Sequence, residues 1–322
     1  MTTAFPKISI ITPSYNQGQF LERTILSVLN QNYPNIEIII IDGGSTDESV
    51  SVIKKYEQQL AYWISEKDKG TYDANNKGLT KVTGDFWCIV NSDDILLPNA
   101  INNLVQAISE HPDQKWFAGG VKYIDELDYV TGEQIPEKPE PIAGYTFLHG
   151  CWISHPTVFL HRDIIQEIGL FEKRHLMDMN YWLRMEAAGY TPFIIPQYLA
   201  GLRSHRDCKS ANRIKLQEEF LSVFASFVKE HKLENLSEIH SKTLFNTVFY
   251  YRMLLSESLV KSTRMKSVKY LITIMRIRPL SVFTGWYAGA IKRILFGVWQ
   301  GDPLLNEFSL EENKANWSEI NV

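Results

Sequence analysis

Two adjacent carboxylates follow a short apolar run in the first third of the chain. Phe86 to Val90 predicts a buried strand, and the next four residues are Asn91, Ser92, Asp93 and Asp94. Acids crowded at the carboxyl end of a buried parallel strand repel each other unless a cation lies between them. Open α/β sheets also bind their ligands at that edge. Hard oxygen ligands suit Mg²⁺ or Mn²⁺ and favour a phosphate-bearing substrate. A solvated Asp-rich turn is the alternative.

The elements around this run predict an α/β fold. Ile8 to Ile11 and Ile36 to Ile41 are short β-rich runs, and amphipathic helical patterns separate them from each other and from the Phe86 strand. The isoleucine run is too continuous for a half-exposed sheet, so it should be buried on both faces. This alternation predicts a doubly wound domain with a mostly parallel, Rossmann-like sheet and flanking helices. The two commonest nucleotide-binding motifs, G-x-G-x-x-G and the Walker loop, are absent.

Asp42 ends the second strand and is a second acidic candidate. A carboxylate that leaves an isoleucine-rich strand suits a ligand site, and a turn residue before Gly43 is the alternative. Ser45 and Glu48 have the spacing of a capping box, which predicts that they start the next helix.

Length and composition predict a globular chain with one large core and an appendage. The chain has 322 residues, of which 44% are hydrophobic and 22% charged. We expect a catalytic domain over residues 1–212 and a helical region over 213–322. The three isolated cysteines indicate a reducing compartment. The N-terminus has no signal-peptide pattern and no stretch is long enough to span a membrane, so we expect a cytoplasmic protein.

The charge is distributed unevenly along the chain. Ser258 to Gly301 contains eight Lys and Arg residues and no acid, which leaves −12 for the rest of a chain of net charge −4. This asymmetry indicates an anionic partner, either a membrane or a nucleic acid. A helical stripe favours the membrane interface, and its members are Phe283, Trp286, Tyr287, Ala290, Ile291, Ile294 and Val298. Packing of this helix on the catalytic domain is the alternative. No nucleic-acid-binding motif occurs, so nucleic acid is not expected.

Several motifs in order resemble family 2 glycosyltransferases, the inverting group with the GT-A fold that includes enzymes of bacterial surface polysaccharides. The matching segments are Pro13-Ser14-Tyr15-Asn16, Ile41 to Asp47, Ser65 to Gly78 and Asn91-Ser92-Asp93-Asp94. The resemblance is strong from Ile8 to Asp94 and looser to about Ser210.

The resemblance implies a donor site. Tyr15 would stack on the donor base, and Asp42 would accept a hydrogen bond from an imide N–H, which favours uracil or thymine, with a UDP-sugar as the favoured donor. The other donor-binding residues that it implies are Pro13, Asn16, Asp68, Tyr72, Lys77, Asn91, Ser92, Asp93 and His205. Tyr15 could instead be a core aromatic, Asp68 a surface-turn residue, and His205 a structural histidine.

The resemblance also implies the chemistry. Asn91-Ser92-Asp93 occupies the D-x-D position, with Asn for the first Asp, and Asp93 with Asp94 would hold Mn²⁺ or Mg²⁺ against the donor diphosphate. Asp178 matches the general base, although Met177 replaces the usual preceding Glu. A helix N-cap is the alternative for Asp178.

The acceptor side is the least specific part of the pattern. Trp152 and His155 could contact the acceptor sugar, or could be core residues. We expect a metal-dependent, inverting transfer from a nucleotide sugar to a saccharide or lipid-linked saccharide, by a protein peripheral on the cytoplasmic face of the inner membrane. A non-catalytic sugar-nucleotide-binding subunit is one alternative, because of Asn91 and Met177. A sugar nucleotidyltransferase is another, although Thr12 to Gly18 contains no Lys or Arg.

Overall fold

The chain forms two compact units. The computed structural model describes residues 5–174, 176–206, 208, 212–278, 285–296 and 298. The first unit, called here the sheet unit, comprises Met1–Pro141 and Tyr145–His205, and the second, the helical unit, comprises Ile142–Gly144 and Arg206–Val322. The domain boundary expected at Asn212 stays a prediction.

Nine strands of the described residues form one sheet in the order β3-β2-β1-β4-β8-β6-β9-β5, with β7 paired to β6. They are β1 Ile8–Ser14, β2 Ile36–Asp42, β3 Tyr62–Ser65, β4 Phe86–Ile89, β5 Ile95–Leu96, β6 Trp116–Ile124, β7 Val130–Gln134, β8 Phe159–His161 and β9 Phe193–Arg203. The sheet is flanked by α1 Gly18–Leu29, α2 Ser49–Lys55, α3 Thr71–Leu79, α4 Ala100–Glu110, α5 Asp163–Ile168 and α6 Met177–Ala187.

The pairing changes along the sheet. Strands β3, β2, β1 and β4 are parallel neighbours, as the sequence predicts. Beyond β4 the sheet is mixed, because β8 runs antiparallel to both β4 and β6, whereas β9 is parallel to β6. The predicted α/β class is confirmed, and the parallel half is the half that carries the motifs.

Helices cover both faces of the parallel strands. On one face, the apolar side chains of α1 and α4 pack with alternate isoleucines of β1 and β2. On the other face α3 lies close to β1, since a Cβ at Gly78 would come within 2.4 Å of Ile11. Tyr181 of α6 packs edge-on against Trp87 of β4 on this side. Both faces of β1 and β2 are therefore buried, as the isoleucine run predicts, and each fully buried isoleucine contributes about 1.5–3 kcal/mol.

The helical unit contains α7 Arg213–Glu230, α8 Ser237–Val260, α9 Arg264–Ile277 and α10 Gly285–Phe296. Helices α8, α9 and α10 share an apolar cluster. No helix among the described residues combines the length and hydrophobicity needed to cross a membrane. The predicted aromatic stripe is in part internal, because Trp286, Ala290, Ile294 and Val298 pack in this cluster. Phe283 and the side chain of Tyr287 lie outside the described residues, and Ile291 is exposed.

Candidate active site

The loops that follow the four parallel strands meet at one edge of the sheet. In the strand register Ser14 pairs with Asp42 and Asp42 with Ser65, so β1, β2 and β3 end together. The N–H of Val90 donates to the carbonyl of Ile11, which brings the end of β4 to the same edge. The motif residues therefore lie at the carboxyl edge of the sheet, where open α/β folds bind ligands.

The loop after β1 presents Tyr15 at this edge. Its side chain is 60% exposed, so it is not the core aromatic considered as an alternative. Asn16 has a positive φ of 51° and holds the neighbouring loop, since its N–H donates to Ser45 Oγ and its Oδ1 accepts from the N–H of Thr46. Pro13 is buried in β1. Asn16 and Pro13 thus shape the loop, and Tyr15 is its exposed ring.

Asp42 is buried, and its carboxylate accepts four hydrogen bonds from its own loop and from Ser65. It has no exposed surface. Its Oδ2 accepts hydrogen bonds from the N–H groups of Gly44 and Ser45 and from the hydroxyl of Ser65, and its Oδ1 accepts from the Ser45 hydroxyl. Three of these hydrogen bonds reach Oδ2 and one reaches Oδ1. Because Asp42 has no exposed surface in this arrangement, its contact with an imide N–H stays a prediction.

Asp68, unlike the buried Asp42, has a carboxylate oxygen close to Gly43 and the exposed Tyr15 ring. A Cβ at Gly43 would lie 2.7 Å from Asp68 Oδ2 and 3.2 Å from the Tyr15 ring. The absence of a side chain at residue 43 thus gives the Asp68 carboxylate room beside Tyr15. Its Oδ1 accepts from the N–H of Gly70, whereas Oδ2 accepts no hydrogen bond within the described part of the chain. Asp68 is half-buried, and its close approach to Gly43 is a contact that a residue of a charged surface turn would not need.

Lys77 and Tyr72 lie on α3, the helix that follows this loop. The ammonium of Lys77 contacts Glu66 at 2.7 Å and Asp73 at 3.6 Å. The hydrogen bond to Glu66 raises the pKa of Lys77, so it stays charged at neutral pH. Tyr72 is half-buried near the start of the helix. Their predicted contacts with the donor stay predictions.

The loop after β4 separates its two acids. Asp94 is buried, where its Oδ1 accepts from the N–H of Arg203 and its Oδ2 from the Asn91 amide. Burial and the adjacent Asp93 carboxylate raise the pKa of Asp94 well above its usual range. Ser92 is also buried, whereas the side chain of Asp93 is 19% exposed. This geometry gives Asp94 a structural role in the loop and does not favour it as a metal ligand.

Asp93 is paired with His205, the last residue of the sheet unit in sequence. His205 Nε2 lies 3.0 Å from Asp93 Oδ2, and the His205 side chain is only 2% exposed. Its ring packs on Phe20 of α1 at 4.9 Å between centroids. The chain segment after β9 therefore returns to the β4 edge, and the predicted donor residues Asp93 and His205 are brought together.

Arg203, which flanks His205 in sequence, is a residue of this edge that is not among the predicted donor-binding residues. Its guanidinium is fully buried, donates to the carbonyls of Asp93 and Asp125, and pairs with Asp128. It also lies over the Phe20 ring at 4.9 Å. Arg203 thus fastens the Asp93 loop to the β6–β7 turn. Only its position two residues before His205 could have drawn attention to it.

Asp178 lies in the first turn of α6 and is not the N-cap, which is Leu176. The start of α6 is close to α3, because the amide of Asn75 approaches Met177 Sδ at 3.8 Å. Asp178 is half-buried. Burial of the nearby Cys151 thiol and, after it, the Asp178 carboxylate raise the pKa of Cys151. Asp178 Oδ1 accepts from the N–H of Met179. The capping alternative is therefore not observed.

The two acceptor candidates are packed among aromatic rings. Trp152 stacks on Phe147 at 5.2 Å and donates its indole N–H to Thr146. His155 meets the Trp182 ring edge-on at 5.8 Å. Both are half-buried. These contacts account for their positions structurally, and contact with an acceptor stays a prediction.

The residues at the β4 edge fit a divalent ion that substrate helps to bind. No group of three or more His, Cys, Asp or Glu side chains in the described ranges has the arrangement of a complete metal site. Asp93 and His205 supply one carboxylate and one imidazole. Mg²⁺-type ions in phosphate-binding enzymes often take one or two carboxylates and complete their coordination with water and substrate phosphate. Asp93 and His205 are therefore sufficient to hold such an ion only together with a phosphate ligand.

Solved structures share this architecture. The mannosyltransferase PcManGT from Pyrobaculum calidifontis, in complex with GDP-Man and Mn²⁺, has a TM-score of 0.60 at 16% identity, over 95% of this chain and 84% of that chain. Residues 1–349 of S. aureus TarS, in complex with UDP-GlcNAc, have a TM-score of 0.55 at 15% identity, over 85% and 92%. At such identities the likeness concerns the fold, and the fold is that of GT-A glycosyltransferases.

Sequence comparison identifies the family within this fold. The profile of Glycosyl transferase family 2 matches residues 9–169, half of the chain, and the chain belongs to that family. An uncharacterized glycosyltransferase of Mycobacterium tuberculosis is 34% identical over 174 residues, covering 53% of this chain and 64% of that protein, which is under two thirds of its length. TuaG of Bacillus subtilis, provisionally named for teichuronic acid biosynthesis, is 26% identical over 72% of this chain and 92% of its own length. The predicted family is confirmed.

Proposed function

We propose that the protein transfers a sugar, with inversion, from a nucleotide sugar to a saccharide or lipid-linked saccharide acceptor. The observation that carries this proposal is the Asp93–His205 pair, 3.0 Å apart at the edge where the parallel strands end. A partly exposed carboxylate and a buried imidazole at this edge suit a donor diphosphate and its cation. The provisional name of TuaG supports a role in surface polysaccharide synthesis.

The donor base lies between Tyr15 and Asp68 in this proposal. The exposed Tyr15 ring provides a stacking surface, and Asp68 Oδ2 is the carboxylate oxygen beside it. Because Oδ1 already accepts from Gly70, Oδ2 is the oxygen left for the base, whereas a bidentate pair with two adjacent N–H groups would need both oxygens. Uracil and thymine each present a single imide N–H, whereas guanine presents two adjacent N–H groups. A uridine or thymidine diphosphate sugar therefore fits better than a guanosine one.

Asp93 and His205 would hold Mn²⁺ or Mg²⁺ together with the donor diphosphate. The bound ion would neutralise the negative charge that develops on the departing nucleoside diphosphate. Arg203 keeps the Asp93 loop in place through the Asp93 carbonyl. The Asn91 amide donates to Asp94, so the departure from D-x-D supports the loop internally. A non-catalytic role therefore does not follow from Asn91.

Asp178 is the general base in this mechanism. Its carboxylate takes the proton of the acceptor hydroxyl as the hydroxyl oxygen attacks the anomeric carbon. The bond from that carbon to the diphosphate oxygen breaks on the opposite face, which inverts the configuration. A position in the first turn of α6 holds the carboxylate on a rigid element. Trp152 and His155 are placed on the acceptor side of this reaction.

The protein is also proposed to work at the cytoplasmic face of a membrane, where lipid-linked acceptors are found. The acid-free segment with eight cations supports an anionic lipid surface as its partner. Nucleic acid is not part of this proposal.

A thermal-shift screen of nucleotide sugars with and without Mn²⁺ tests the donor site, because a ligand that binds only the folded state raises its stability. We expect UDP- or dTDP-sugars to raise Tm in the presence of Mn²⁺. Asp93→Asn should lose the Mn²⁺-dependent part of the shift. Asp113→Asn, an exposed residue between α4 and β6, is the matched control and should behave as the wild type. No shift with any nucleotide sugar would contradict the proposal.

A further inference from the structure

Helix α9 carries an exposed apolar stripe beside the side that makes its core contacts. Its inner side is built from Ser267, Leu271 and Ile274, which are buried. Ser267 exchanges a hydrogen bond with Ser258 of α8 at 2.7 Å. The outward stripe has a spacing of three, four and three residues, which places its members on one side of a helix. They are Met265, Val268, Ile272 and Met275, with exposures of 84%, 38%, 43% and 39%.

The stripe is bordered by positive charge. Lys269 and Arg276 follow Met265 and Ile272 by four residues each, so each cation lies one turn along from an apolar member. Both are exposed, as are Arg264 and Lys266 on the same helix. Helix α9 contains no acidic residue. A contiguous row of exposed apolar side chains is unusual on a surface that faces only water, and here it is bordered by cations on a helix without acids.

We propose that α9 lies flat on an anionic lipid bilayer. The apolar stripe enters the boundary between headgroups and acyl chains, and Lys269 and Arg276 pair with lipid phosphates. This inference rests on the proposed membrane association and assigns it to a surface. It differs from the expectation based on sequence, because the aromatic residue Trp286 of α10 packs in the helical cluster.

Charge complementarity selects the bilayer over other occupants. A second copy that docked through this stripe in a two-fold contact would bring the same cations face to face, with no acid on α9 to neutralise them. A nucleic acid would pair with the cations but would leave four apolar side chains against a polyanion. A bilayer of anionic lipid satisfies the charges and the apolar side chains together.

Flotation with vesicles tests the proposal on the full-length chain. The vesicles contain phosphatidylcholine with or without 30% phosphatidylglycerol. Met265→Ser/Ile272→Ser removes the stripe at constant charge, and Lys269→Gln/Arg276→Gln removes two cations. Leu127→Ser/Tyr129→Ser changes two exposed apolar residues of the sheet unit, and Lys215→Gln/Lys229→Gln removes two exposed cations of α7. These two double variants are the matched controls.

We expect the wild type to bind anionic vesicles and to lose binding as salt shortens the Debye length from ~10 Å at 0.1 M to ~3 Å at 1 M. The cation variant should bind about 30-fold more weakly, at about 1 kcal/mol for each charge near the surface. The stripe variant should bind at least tenfold more weakly. Both controls should match the wild type.

Three results would overturn the proposal. The first is a stripe variant that binds vesicles as well as the wild type, and the second is a control that loses as much vesicle binding as the α9 variants. The third is a stripe variant in which the oligomeric state or the binding of an RNA duplex changes instead of vesicle binding. The donor thermal shift is measured on the same proteins. If α9 variants lose vesicle binding but keep the donor shift, the surface is assigned independently of catalysis. If no protein shows a donor shift while vesicle binding follows the prediction, the glycosyl-transfer proposal fails and this one stands.

Discussion

Asp68 occupies the space that a side chain on Gly43 would need, with its Oδ2 only 2.7 Å from the position of a Cβ there. Asp42, one residue earlier, is buried and accepts four hydrogen bonds from its own loop and from Ser65. Asp42 and Asp68 thus have different tasks. Asp42 organises the loop, and Asp68 lies with the exposed Tyr15 ring around Gly43.

Gly43→Ala should therefore weaken donor binding. A Cβ at 2.7 Å from Asp68 Oδ2 forces the carboxylate to move. We expect Gly43→Ala and Asp68→Asn to raise the Kd for the nucleoside diphosphate by about 10- to 100-fold, as a hydrogen bond involving a charged group is worth ~1.5–3 kcal/mol. Titration calorimetry with UDP and dTDP measures this. Asp42→Asn should instead lower Tm. If Asp42→Asn has a normal Tm and is the one variant of the three with weakened binding of UDP and dTDP, then Asp42 and not Asp68 contacts the base.

Asp178→Asn should remove the basicity of the first turn of α6 at nearly constant shape. We expect near-normal melting and donor binding, with transfer reduced on the order of 10²–10⁴-fold, the usual contribution of general-base catalysis. Asp163→Asn, in the first turn of α5, is the control and should retain transfer. Transfer by Asp178→Asn at close to the wild-type rate would place the base elsewhere.

Arg203→Met should destabilise the sheet unit far more than Arg23→Met. Both arginines pair with Asp128 and lie over Phe20, but the Arg203 side chain is fully buried whereas that of Arg23 is 33% exposed. Arg203→Met leaves the carbonyls of Asp93 and Asp125 without their Arg203 donors, at ~1–3 kcal/mol for each unsatisfied group, whereas an exposed pair contributes ~1 kcal/mol or less. Urea unfolding compares the two. Equal losses of unfolding free energy would mean that Arg203 does not anchor the Asp93 loop.

Glu37 should make stability fall in acid without affecting catalysis. Burial by itself would raise the pKa of Glu37, but hydrogen bonds outweigh it and lower the pKa to about 2. The donors are Lys7, Ser9 and Thr83. A depressed folded pKa contributes stability above the unfolded value of about 4.3, and this stability is lost as pH falls from there toward 2.

The matched variants are Glu37→Gln and Glu57→Gln, the second at an exposed position. At pH 7, Glu37→Gln should lower the unfolding free energy by about 1.5–3 kcal/mol, and the difference from wild type should shrink as pH approaches 2. Glu57→Gln should have little effect at either pH. A Glu37→Gln deficit that is independent of pH would show that packing, not charge, is responsible.

Much of the fold was predictable because strong local patterns agree with it. The isoleucine run of β2 predicted a buried strand, and the polar residues after β4 predicted the edge of the sheet at which a ligand binds. The mixed pairing beyond β4 depends on long-range contacts between β6, β8 and β9, which no local pattern encodes.

Side-chain direction limited the prediction of the site. Ser45 has capping-box spacing, yet its hydroxyl donates to Asp42 and α2 begins at Ser49. Asp93 and Asp94 are neighbours in sequence, but only Asp93 keeps exposed surface while Asp94 is directed to Arg203. In the sequence, the apolar residues of α10 look the same as a membrane-facing stripe. Only the structure distinguishes the two, because these residues pack in one cluster with α8 and α9.

The most direct test of the mechanism is the anomeric configuration of the product. The wild-type protein is incubated with an α-linked UDP- or dTDP-sugar, Mn²⁺ and a lipid-linked saccharide, and the product is analysed by proton NMR. The proposed mechanism predicts a single β-linked product that is abolished by EDTA and restored by Mn²⁺ or Mg²⁺. A product that retains the α configuration, or undiminished transfer in EDTA, would contradict it.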